Sequence, residues 1–125
     1  MFKLVLNRTE LSQVQEVLQM EKLNLEVDLA KCLTQNGFIN QLNEVFNFPE
    51  DFWNSVSVVD SYMQNLGWIT QKEIHVTLFN LNKAKKKPND GENYGLNWVI
   101  DRFDLYKKYW EFPDKEKNFD YSFRN

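Results

Sequence analysis

Across 125 residues the chain carries one cysteine, one histidine, three prolines and four glycines. With Cys32 alone there is no intramolecular disulfide and no cysteine-based metal cluster, as expected for a reducing compartment; the expected location is the cytoplasm. With His75 alone, any Ser/His/Asp or Cys/His arrangement has to pass through that one side chain. No Gly-rich phosphate loop is present. No stretch approaches the roughly 18 apolar residues of a membrane span, and the apolar run in MFKLVLNRTE is too short for a secretory signal, so no membrane contact is expected. Basic excess is also missing. A formal net charge of −3 argues against direct nucleic-acid binding, which usually requires a basic face.

Large apolar side chains are plentiful. Hydrophobic residues make up 42% of the chain and include ten Phe, five Tyr and four Trp, enough for one core without metal or disulfide staples. The length fits a single domain, 1–125. Residues 2–6 read as a strand, and Thr9 as the cap of a helix over about 10–20. Leu23 to Leu29 alternate apolar and polar, placing a half-buried strand around 25–31. Thr34 to Gly37 read as a break. Phe38, Leu42, Val45 and Phe46 mark a helix that Pro49 ends. Trp53, Val56, Val59, Met63 and Leu66 mark another, closed by Gly67.

Residues 73–79 alternate as a strand. Lys83, Lys85, Lys86 and Lys87, followed by Pro88 to Gly91, read as a solvated exit loop over 82–93. Asn93 is the expected cap of a long helix whose Leu96, Val99, Ile100, Phe103 and Trp110 share a face, with Lys107 and Lys108 at its carboxyl end and Pro113 beyond it. Residues 119–123 alternate as a last strand. Helices between such strands predict right-handed crossovers and an α/β fold with a small parallel sheet.

Catalysis is hard to assemble from these residues. His75 is expected on the polar face of its strand, Cys32 as a small buried side chain, and Asp101 with Asp104 as a solvated helix face. No catalytic residue, cofactor or metal is expected. The stretch 49–65 differs, since it combines acids with aromatic, amide and hydroxyl side chains and has the composition of a protein interface.

The same region resembles the barstar-like family, intracellular inhibitors of secreted ribonucleases. Phe48, Pro49, Phe52, Leu66, Trp68 and Ile69 fall, without gaps, where that family has its Phe-Pro turn and its Leu-x-Trp-Leu segment. The resemblance covers about 25–125, leaving 1–24 as an N-terminal strand-helix extension. It implies a small parallel sheet packed with helices and a helix that binds a basic nuclease or other toxin. The family's two principal acidic positions are Ser57 and Ser61 here; Trp53 and Ser55 stand at its glycine and asparagine. The expected partner-binding residues are Glu50, Asp51, Trp53, Asn54, Ser57, Asp60, Ser61 and Asn65, on a protein that is monomeric when free. The alternative is a non-inhibitory adaptor or scaffold that forms a homo-oligomer through its aromatic-rich helices.

Overall fold

A computed structural model describes residues 22–49, 55–87 and 95–125. The expected elements over 2–6 and 10–20, and the expected cap Asn93, lie outside the described residues. Strands β1 (Lys22–Asp28), β2 (Glu73–Phe79) and β3 (Asn118–Phe123) form a parallel sheet in the order β1-β2-β3. Helices α1 (Gln35–Phe46) and α2 (Val56–Met63) fill the first crossover; α3 (Leu81–Lys85) and α4 (Leu96–Trp110) fill the second. The class is α/β.

Alternation creates two unlike sheet faces. Val27, Ile74, Val76, Leu78 and Phe119 are buried with Phe38, Ile39, Leu42, Val59, Met63, Val99 and Phe103 of the helices. Burying one such side chain fully stabilises by about 1.5–3 kcal/mol, so this face accounts for the packing of the helices. The opposite positions hold Asn24, Glu26, His75, Thr77, Asp120 and Ser122, in the rows Asn24–His75–Asp120 and Glu26–Thr77–Ser122. Parallel sheets are usually covered on both faces. Here the polar composition lets the second face meet water.

Several boundaries differ from expectation for local reasons. The first strand ends at Asp28, short of residue 31, because the Asp28 carboxylate accepts the Ala30 N–H and starts a 3-10 turn over Leu29–Lys31. The expected break at Thr34–Gly37 is instead a helix start, with Thr34 Oγ1 accepting the Gly37 N–H at 3.0 Å. Glycine is required there, since a Cβ would collide with the Lys31 carbonyl oxygen. Asn47, left-handed at φ 53°, ends α1 before Pro49. The helix expected from Trp53 to Leu66 is regular over Val56–Met63, capped by Ser55 Oγ on the Val58 N–H. The lysine-rich exit loop begins with a helical turn, α3, in which Ala84 is buried while Lys83 and Lys85 remain exposed. Gly95, at φ 85°, precedes α4.

Candidate functional site

Helix α2 holds the part of the expected interface that the structure describes. Glu50, Asp51, Trp53 and Asn54 lie outside the described residues. Ser57, Ser61 and Asn65 are exposed and recur every four residues, so they form one row along α2 and the turn after it. Ser61 Oγ donates to the Ser57 carbonyl at 3.1 Å, which leaves its lone pairs outward as acceptors. Asn65 Oδ1 accepts the Gly67 N–H at 2.8 Å, beside Leu66 in a left-handed conformation, which leaves the amide NH₂ as a donor. The row therefore presents mixed donors and acceptors and no net charge.

Asp60 is used differently from its sequence neighbours. Its carboxylate accepts the Tyr106 hydroxyl at 2.6 Å and faces the Arg102 guanidinium at 3.3 Å, with both ionic side chains about three-quarters covered. Its charge is thus compensated from α4. The sequence shows no Lys or Arg from 49 to 71, yet the fold brings one across 42 positions. Burial first, and then the Asp60 carboxylate, raises Tyr106 far above the ordinary tyrosine range, so the phenol stays a donor. Arg102 also lies over the Trp98 ring at 4.9 Å.

Of the residues that carry the family resemblance, Phe48, Leu66, Trp68 and Ile69 pack into or against the core, Pro49 is exposed, and Phe52 lies outside the described residues. Phe48 is buried and stacks on Tyr62 with ring centres 5.0 Å apart, while Trp68 meets both rings edge-on. Trp68 Nε1 donates to the Phe46 carbonyl at 2.9 Å, and Trp110 Nε1 donates to the Met63 carbonyl at 2.8 Å. The carboxyl end of α2 and the segment after it are held. Tyr62 belongs to this packing cluster.

A second constellation lies on the open sheet face. His75 Nδ1 is 2.5 Å from Asp120 Oδ1, and Nε2 is 2.9 Å from Ser122 Oγ. The order carboxylate, imidazole, hydroxyl is that of a hydrolytic triad. Its setting is different. Asp120 and His75 line a groove of about 730 Å³ at the amino ends of the strands, while Ser122 does not. Ser122 is exposed on the flat face. Sequence alternation places His75 on this face, but finding its partners requires the β2–β3 register.

Cys32 is fully buried, and its thiol donates to the Asp28 carbonyl at 3.3 Å. Burial first, then the nearby Asp28, pushes its pKa from 9.0 up to about 12, which removes nucleophilic character at neutral pH. Asp104 is taken by Lys108 at 2.9 Å and by Tyr121, and Lys108 holds it below the ordinary carboxylate range. Among the described residues no group of His, Cys, Asp or Glu is arranged to hold a metal. No helix among them is long and apolar enough to cross a membrane. No protein-family model, curated protein or solved structure matches this chain significantly.

Proposed function

We propose that the chain is a barstar-like binding protein that blocks a nuclease or other toxin through α2 and has no catalytic activity of its own. The observation supporting this most directly is the row Ser57, Ser61 and Asn65, exposed along a helix held at its carboxyl end by Trp110 and along its inner side by Tyr106. A rigid polar row loses little side-chain freedom when it docks, which favours recognition by hydrogen bonds. With Asp60 compensated by Arg102, direct charge mimicry rests on Glu50 and Asp51. The partner's surface is accordingly less basic than a ribonuclease active site, with hydrogen-bonding groups opposite α2. His75, Asp120 and Ser122 act as a cross-strand clamp in this reading, because an acyl-transfer centre needs a water-excluding cleft beside its nucleophile.

The test is inhibition of the toxin-like product of an adjacent gene, measured as residual activity against added protein. Stoichiometric inhibition is expected. Ser57→Arg with Ser61→Arg places bulk and charge on the row while changing stability by no more than about 0.5 kcal/mol, since both sites are exposed. That variant should fold and fail to inhibit. Equal inhibition by the variant refutes the assignment of the site.

A further inference from the structure

The two edges of the sheet are finished differently. At the end of β1, the Asp28 N–H donates to Gln41 Oε1 at 2.8 Å, and the Asp28 carbonyl accepts the Cys32 thiol, so side chains occupy that part of the edge. Edge strand β3 has no such cover among the described residues. The Asn118 N–H donates to Lys72 O at 2.8 Å and the Arg124 N–H donates to Leu78 O at 2.9 Å, both toward β2. Backbone groups alternate along a strand, so those of Phe119, Tyr121 and Phe123 point away from the sheet. Neither lysine nor proline interrupts Asn118–Phe123. Phe123 is 43% exposed, Leu105 on the adjoining α4 is 42% exposed, and Tyr121 meets Phe123 with ring centres 5.7 Å apart. The β3 edge combines unpaired backbone with apolar side chains.

The strand also complements itself. We infer that the β3 edge pairs antiparallel with the β3 edge of a second copy of this chain, centred on Ser122, joining two sheets into one of six strands. In that register Tyr121 and the partner's Phe123 exchange backbone hydrogen bonds, an arrangement open only to residues whose groups point outward. Asp120 then faces the partner's Arg124, and the two-fold axis repeats each contact. Opposite charges placed directly across a strand pair stabilise it, and like charges destabilise it. Arg124 reaches the outer face already, where its guanidinium lies 3.1 Å from Glu26 and over the Phe79 ring. One pair of six-residue strands makes a small interface, so the dimer depends on concentration. This differs from the sequence-based expectation of a free monomer and does not rest on the α2 interface.

Sedimentation equilibrium of the wild-type protein across the micromolar range should show reversible dimerisation. Asp120→Arg opposes two arginines at each contact, Arg124→Asp opposes two aspartates, and each variant should raise the dissociation constant about tenfold or more. Mixed in equal amounts, the two variants face each other with opposite charges at both contacts and should recover a dimer. Recovery also shows that each variant is folded. A wild-type protein that stays monomeric throughout overturns the inference. So does a dimer indifferent to both substitutions, or a mixture that fails to recover.

Discussion

Of the carboxylate-centred arrays among the described residues, one joins two helices and another joins two strands, and these two differ mainly in depth. Asp60, Tyr106 and Arg102 join α2 to α4, with 23% and 27% of the Asp60 and Arg102 side chains exposed. Asp120, His75 and Ser122 join β3 to β2, with 61% and 37% of the Asp120 and His75 side chains exposed. The hydrogen-bond lengths are alike. The media are not. A carboxylate withdrawn from water leaves costly orphans when it is lost, whereas water replaces an exposed partner almost at once.

The largest effect is expected at Asp60. Asp60→Ala strands the Tyr106 hydroxyl, on a residue with no exposed surface, and leaves Arg102 without its counter-charge. A loss of about 2–4 kcal/mol follows from breaking a largely covered pair, discounted for the partial exposure of both ionic groups. Urea denaturation measures it directly. A loss below about 1 kcal/mol would put this array in the same class as the one on the sheet.

Tyr106→Phe is milder, because it removes the donor and leaves Asp60 its arginine. About 1–2 kcal/mol is expected at neutral pH. Alkali sharpens the point, since both Tyr106 and Cys32 have pKa values raised above their ordinary 10.0 and 9.0. The contribution of each is complete below the ordinary value and is lost as pH rises through the folded one, because the unfolded chain ionises first. Wild-type stability should fall from about pH 9.0 upward, continuing for Cys32 to about 12. Tyr106→Phe should flatten the part of the decline that begins near 10.0. Urea midpoints followed through this window decide it; parallel curves for variant and wild type would count against a buried phenol.

Much of the fold is legible in the sequence, while the two arrays are not, and the difference is instructive. Strand 73–79 was read at its true bounds because one face is wholly apolar, which leaves period two undisturbed. Parallel pairing followed from crossovers long enough to hold helices. The strand expected around 25–31 lies three residues earlier, at Lys22–Asp28, because Leu29 continues the apolar sequence and only the Asp28 side chain turns the backbone there. Thr34 and Gly37 looked like a break because capping chemistry and turn chemistry use the same residues. In the candidate site, the family resemblance singles out Ser57 and Ser61 and the composition of 49–65 points to Asn65, but that the three form one exposed row is a finding of the structure. Asp60 was grouped with them, and the guanidinium that compensates it lies 42 positions away. Long-range pairing of polar groups leaves no periodic trace in a sequence. The His75 partners were hidden for the same reason.

The smallest effect is expected on the sheet. His75→Gln removes both the contact to Asp120 and the one to Ser122, yet its surroundings are open, and polar neighbours Asn24, Thr77 and water can take up the freed groups. Exposed ion pairs contribute about 0–1 kcal/mol, so the expected loss of stability is no more than about 1 kcal/mol. Added salt distinguishes a charged clamp from a neutral one, because screening weakens an exposed pair and leaves packing intact. The difference between wild type and His75→Gln should therefore shrink as salt is raised. Denaturation of both proteins at low and high salt is the measurement. A loss as large as that of Asp60→Ala would mean that the outer face is covered in solution, and the distinction of depth between the two arrays would fail.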